Sequence, residues 1–256
     1  MKGPEMNVIC WSGGHDSTLM MHYLLYQQKD LHPYLVVFAD STITFPETHT
    51  YIHDIVQDFG IQTHFRTLKP QQTFYERLLR YQFWPSIRAL WCRKTLKLQV
   101  LKQFYNSLPD PLTEYVGISR ADSGHRNQLY QEPKLVRKWG RKLVKCEYPL
   151  LKWSDAQKEA YFRKEQIPRN PIYDTMGVSG CYFCPFYHEK DYSKLQRFHP
   201  ELFCLLLSCE QLIGKRALPD FWLKDVGFNN APDVTDFQMQ TMKDFNKGLL
   251  KLPRGS

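Results

Sequence analysis

No stretch of the 256 residues approaches the run of about 18 apolar residues that a membrane span requires. The N-terminal residues also lack the apolar region of a secretion signal, so the expectation is a cytoplasmic protein with no membrane partner. In that compartment the seven cysteines point to metal, catalysis or burial rather than disulfides. Internal repeats and low-complexity segments are absent. Acidic residues are outnumbered by Lys and Arg, leaving a net charge of +8, which suits anionic ligands without choosing between nucleotides and nucleic acid. With 43% hydrophobic residues the chain can bury a sizeable core, and its length suggests one domain plus an appendage.

What is present centres on Asn7 to Thr18. Val8 to Trp11 read as a buried strand, Ser12, Gly13 and Gly14 follow at once, and a helix opens with Asp16, Ser17 and Thr18. A strand that turns on glycines into a helix has the form of a phosphate cradle, because glycine lets the backbone approach an anion and the first helical turn offers free N–H groups. The loop lacks the Lys-Ser/Thr ending of the Walker motif. The competing reading is a tight turn with Asp16 as a helix cap.

Strand and helix patterns alternate through the first half. Strands are expected at Tyr34–Ala39, Gln62–Thr67 and Leu112–Val116, and helices at Thr48–Phe59, Thr73–Phe83 and Lys94–Leu108. This predicts an α/β fold, a parallel twisted sheet with helices on both faces, whose ligands lie beyond the carboxyl ends of the strands. Ser12, Asp40 and Gly117 all fall at such ends. Residues 134–145 carry six basic residues and no acid, with Gly140 able to turn a hairpin; the readings are a nucleic-acid contact or a solvated hairpin face. Ser154 is expected to cap a helix to about Glu165, and from Glu189 onward helices dominate, broken by a loop at Gly227–Pro232. The expected division is a nucleotide-binding α/β domain over 1–185, a helical appendage over 186–250, and at 251–256 a fragment of a vector protease site.

The loop resembles the S-G-G-x-D-S pyrophosphate loop of the adenine-nucleotide α-hydrolase (PP-loop) superfamily, and further stretches resemble its phosphoadenylyl-sulfate (PAPS) reductase-like family. Asp40-Ser41 with Phe45-Pro46-Glu47-Thr48 is similar to that family's D-T-G…F-P-E-T, Gly117 to Arg126 to its G-x-R-x-x-E-S-x-x-R, and Tyr148 to Ser154 with Pro168 to Pro185 to its P-L-x-x-W-S…P-x-N-P-L-Y-D-x-G…G-C-x-x-C. Ser41 and Thr42 depart from the usual Thr-Gly, Arg120 is shifted by one, and Asp122 stands where Glu is usual. The resemblance implies a nucleotide site of Ser12, Gly13, Gly14, His15, Asp16, Ser17, Thr18, Asp40, Gly117, Arg120 and Ser123, with Ser12, Asp16, Arg120 and Arg126 in catalysis and ATP with Mg²⁺ as ligands. Arg120 and Arg126 are forked cations suited to phosphate, and Asp16 could contact Mg²⁺.

Cys181-x-x-Cys184 is a chelating pair. Adenylyl-sulfate reductases join such a pair to a Cys-Cys pair to hold a 4Fe–4S cluster; here Cys92 matches and Trp91 stands where its neighbour would be. The resemblance therefore implies a 4Fe–4S centre, with zinc as the alternative, on Cys92, Cys181 and Cys184. The fourth ligand is open among Cys204, Cys209, His188 and none. Cys10 reads as core. No cysteine follows Cys209, so the tail nucleophile of sulfonucleotide reduction is missing. The expected activity is ATP cleavage to AMP and pyrophosphate to activate an acceptor for sulfur transfer, in DNA phosphorothioation or tRNA thiolation. The partners are then a nucleic acid or a sulfur-donor protein such as a cysteine desulfurase, with a homo-oligomer or complex subunit also open. The alternatives are an APS/PAPS reductase and a noncatalytic nucleotide-binding subunit.

Overall fold

The computed structural model describes residues 5–28, 31–119, 132–178 and 180–226. Six strands form one sheet: β1 Met6–Cys10, β2 Tyr34–Ala39, β3 Phe65–Leu68, β4 Leu112–Val116, β5 Lys134–Trp139 and β6 Lys142–Glu147, in the order β3-β2-β1-β4-β6-β5. All neighbours pair in parallel except β5, which returns antiparallel on β6 through the turn at Gly140, as the hairpin reading expected. The third strand begins three residues later than its apolar pattern suggested, because His64 and Phe65 first close a turn onto Ile61.

Adjacent residues of β1 feed opposite cores, the period of two that a sheet covered on both faces demands. Ile9 and Trp11 join residues of α1 (His15–Gln27), α2 (Pro46–Asp58) and Phe162 on one face. Val8 joins Val37, Leu112, Val144 and Tyr105, the last from α4 (Gln99–Ser107), on the other. The expected helix at Thr73–Phe83 is α3 (Phe74–Tyr81), and the one expected at Lys94–Leu108 begins as a π-helical segment, Arg93–Leu98, before α4. Such widened turns recur at functional sites. On the α4 face the buried Glu114 carboxylate accepts from Tyr105 Oη at 2.7 Å and from the Cys146 thiol at 2.8 Å, and Tyr105 Oη lies 3.1 Å from Cys10 Sγ. These bonds satisfy a carboxylate that would otherwise be stranded in the sheet.

Ser154 caps α5 (Asp155–Lys164) with a reciprocal capping box to Gln157, as read from sequence. A short helix α6 (Ile172–Thr175) leads to the cysteine loop, and α7 (Glu189–Phe198) and α8 (Pro200–Ile213) supply the expected helical region. Phe203, Leu206 and Leu207 of α8 share one apolar cluster with Phe45, Phe74, Trp84, Trp91 and Leu96, so packing is continuous across residue 185. Buried Glu210 accepts from the backbone N–H groups of Ala217 and Leu223, each at 2.8 Å, and folds the chain after α8 back onto this cluster. The Gly227–Pro232 loop, the chain beyond it and residues 251–256 lie outside the described residues.

Strand order reverses between β1 and β4, so a crevice opens at their carboxyl ends. Its width is set by Gly117, just past β4: a β-carbon there would come within 2.8 Å of Ser17 Cα and 2.9 Å of Asp16 O in the first turn of α1. Gly117→Ala must push α1 from β4 and is expected to cost on the order of 1–3 kcal/mol. A lower midpoint of urea unfolding would register the loss; an unchanged midpoint would show that the two elements part freely.

Candidate nucleotide and thiol sites

The glycine loop is held from several sides. Gly13 has φ +74°, and a β-carbon there would sit 2.8 Å from Thr48 Cγ2. Buried Asn170 donates to Gly13 O at 2.9 Å and to Thr48 Oγ1 at 3.0 Å, while its own oxygen accepts from Ile172 N. Ser17 Oγ and Thr18 Oγ1 both donate to Gly14 O at 3.0 Å. Thr18, fully buried, also accepts from Trp11 Nε1 and Tyr51 Oη, so it shapes the loop rather than facing a ligand. Ser12 remains exposed with its hydroxyl 2.9 Å from Ser17 Oγ. The N-cap of α1 is Gly14, which has no side chain to cap the helix, and Tyr173 Oη accepts from His15 N at 3.4 Å. The remaining first-turn N–H groups are available to an anion.

The other expected residues are placed unevenly. Asp16 Oδ2 lies 3.2 Å from Nζ of Lys158, a nearly buried lysine that also meets Asp155 at 2.9 Å, so this carboxylate is ion-paired across to α5. Asp40 is buried and turned into its own loop, accepting from Thr42 N at 2.8 Å and Thr44 Oγ1 at 3.4 Å. That is the turn role open to any Asp at a strand end. Gly117 makes its close approach to α1 rather than serving as an isolated loop glycine. Arg120, Asp122, Ser123 and Arg126 lie outside the described residues.

His15 stacks on Tyr173 with ring centroids 3.6 Å apart, and its Nε2 is buried with no partner. Burial, reinforced by Arg169, pulls its pKa from 6.5 down to about 4, so it is neutral at physiological pH.

Two cavities meet at the carboxyl edge. One, of about 390 Å³, is walled by Cys10, Val37, Phe38, Leu98, Leu101 and Val116 and floored by Ser12, Ser17 and Gly117. Cys10 borders the crevice while packing on the core beside Tyr105, as its core reading expected, and its thiol is pushed up to about 12 by burial and by Glu114. The other, of about 440 Å³, is lined by Cys92, Cys181 and Cys184. Arg93, Lys97 and Gly180 line both, and among the described residues neither has a carboxylate in its wall. Sequence reading missed Arg93 and Lys97, although they flank Cys92; neither forms an ion pair with any described residue.

The cysteine loop is clamped on two sides. Cys181 bridges to Thr44 and its thiol lies 3.1 Å from Ser41 Oγ. The Cys184 backbone donates to and accepts from Tyr192 Oη of α7, at 3.3 and 3.0 Å. Burial pushes the Cys92 thiol up to about 11, and Cys181 and Cys184 add to the rise. Among the described residues no three His, Cys, Asp or Glu side chains converge as a single ion requires. The three thiols instead line the wall of one cavity. Cys204 and Cys209 are buried on α8, and His188 is exposed at the N-cap of α7; none of them lines this cavity. The reading of Cys204 and Cys209 as apolar helix residues is the one that holds.

The basic stretch 134–145 is largely occupied within the fold. Lys134 and Lys145 pair with Glu147, and Lys142 pairs with Asp110. Arg137 lies over the Tyr148 ring.

Comparisons with known proteins agree with this geometry. The sequence profile of the phosphoadenosine phosphosulfate reductase domain matches residues 6–187. An uncharacterized protein of Methanocaldococcus jannaschii is 27% identical over 205 residues, 79% of this chain but 40% of its own, so the chain spans well under two thirds of that relative. A phosphoadenosine 5'-phosphosulfate reductase of Alteromonas mediterranea is 22% identical over 69% of this chain and 67% of its own. The crystal structure of phosphoadenylyl-sulfate reductase from Candida auris, a phosphate complex, superposes with a TM-score of 0.50 at 17% identity, covering 70% of this chain and 81% of that one, a likeness of fold. No helix among the described residues is long and apolar enough to cross a membrane.

The depressed pKa of His15 has a testable sign. Between about pH 4 and 6.5 the unfolded chain binds a proton at His15 that the folded chain does not, so its contribution to stability is lost as pH falls through that window. His15→Phe, which keeps the stack, should melt with a shallower fall over that range. Parallel pH–melting curves for the two proteins would refute the assignment.

Proposed function

The chain belongs to the phosphoadenosine phosphosulfate reductase domain family, and we propose that within it the chain is an ATP pyrophosphatase of sulfur transfer, activating a nucleic-acid acceptor as in DNA phosphorothioation or tRNA thiolation. The observation that carries this reading is the junction of the two cavities at Arg93 and Lys97. A nucleotide crevice and a three-thiol chamber share the same two unneutralised cations.

In this reading the apolar wall of Val37, Phe38, Leu98 and Leu101 takes the adenine ring. The open N-terminus of α1, with Ser12 and Ser17, takes the phosphates that Mg²⁺ accompanies. An acceptor oxygen attacks the α-phosphorus, the bond to the bridging oxygen breaks, and its electron pair leaves with pyrophosphate. A reduced sulfur nucleophile from a donor protein then bonds to the activated atom as AMP departs with the former acceptor oxygen. Lys97 and Arg93 sit where negative charge grows in the first step, and Arg120 and Arg126 are proposed to add to them. Lys158 keeps Asp16 from repelling the phosphates.

Cys92, Cys181 and Cys184 would hold an iron–sulfur cluster, which when bound would supply a soft Lewis-acid site for reduced sulfur. Burial raises the Cys92 and Cys184 thiols above the usual range, so loading at those two releases protons. The reductase reading has the named relatives in its favour. It predicts sulfite release by thiol attack on the sulfate sulfur, where the pyrophosphatase reading predicts AMP and pyrophosphate.

Incubation with Mg-ATP should yield AMP and pyrophosphate, faster with the right acceptor. Lys97→Met should lower turnover by on the order of 100- to 1000-fold, the scale of losing one charge-stabilising donor. ADP and orthophosphate as products, or sulfite released from adenylyl or phosphoadenylyl sulfate, would overturn the reading.

A further inference from the structure

From Arg77 to Pro109 the chain contains no Asp or Glu, and within it Arg88, Arg93, Lys94 and Lys97 lie within five positions of Cys92 in the sequence. Arg88, Arg93 and Lys94 are exposed, and none of the four forms an ion pair with any described residue. This differs from the 134–145 hairpin, whose lysines are largely paired within the fold. At the thiol chamber Phe186 is 56% exposed and Val178 37%, both in its wall beside Arg93 and Lys97. An exposed aromatic beside unneutralised cations, with no carboxylate among the described residues of the chamber wall, is the pairing that binds unstacked nucleotides: the ring receives a base and the cations receive the phosphates.

We propose that Arg88, Arg93 and Lys94 form the track for the acceptor's phosphate backbone, and that Phe186 stacks a single unpaired base at the mouth of the thiol chamber. The occupant is thus a single-stranded or base-flipped polynucleotide rather than an undeformed duplex. Charge decides this over a docked protein, because a protein seated on Phe186 and Val178 alone would leave three cations unanswered. The assignment deepens the sulfur-transfer reading by naming the acceptor's seat, and it moves that seat from the hairpin to the segment around Cys92.

The test uses the full chain and fluorescein-labelled single-stranded and duplex oligonucleotides of DNA and RNA, with affinity read by anisotropy across a salt titration. Single strands should bind tighter than duplex. The variant Arg88→Ala/Arg93→Ala/Lys94→Ala should lose about 0.7 per cation from the slope of log affinity against log salt. Phe186→Ala should weaken binding by about 5- to 150-fold, and Phe186→Trp should restore it. Unchanged thermal melting of Phe186→Trp guards against misfolding.

Three results would overturn the proposal. One is a loss of slope in Lys138→Ala/Arg141→Ala that the triple variant does not share, which returns the track to the hairpin. Another is oligonucleotide binding indifferent to Phe186. The third is binding of a persulfide-carrying donor protein, instead of oligonucleotides, that depends on Phe186. Product analysis on the unmodified chain separates the two levels. AMP and pyrophosphate without oligonucleotide binding sinks the seat alone, whereas Phe186-dependent binding with ADP as product sinks the pyrophosphatase reading alone.

Discussion

The distance between the end of β4 and the first turn of α1 governs the arrangement of this protein. At Gly117 the two backbones approach so closely that a single β-carbon has no room. Because β2 and β3 lie on one side of β1 and β4 on the other, this contact is made where strand order reverses. It fixes how the uncapped helix end faces the crevice. Gly13, pinned against Thr48, sets the loop from the opposite side. Asn170 ties that loop to α6, whose chain continues into the cysteine loop. The thiol chamber therefore inherits its position from the same pair of close approaches.

Much of this was legible in the sequence because it depends on local chemistry. The strand–glycine–helix order, the apolar stripe of α2, the Ser154 cap and the Gly140 hairpin each rest on residues within a few positions of one another. What could not be read depends on partners distant in the chain. Thr18 looks like a phosphate donor until Trp11 and Tyr51 are seen to occupy its oxygen. Asp16 looks like a free carboxylate until Lys158 arrives from α5.

Charge was the least transparent quantity. A run of six basic residues draws the eye to 134–145, yet Glu147 and Asp110 answer half of them. The opposite signal, a long stretch without acids, is spread thinly and has no motif. It nonetheless supplies the two cations that the cavities share. Counting basic residues in a window measures potential before neutralisation, whereas a binding surface depends on what is left afterwards.

The apolar cluster that joins α8 to Phe45, Phe74, Trp84 and Trp91 has a consequence for what counts as a unit. The family profile ends at residue 187, between the cysteine pair and the helix whose Tyr192 grips Cys184. A polypeptide trimmed to that boundary would keep every motif and lose the backing of its thiol chamber, baring a wall of aromatic side chains to water. The helical region thus buttresses the chamber from behind, and the smallest portable module is longer than the stretch by which its kinship is recognised.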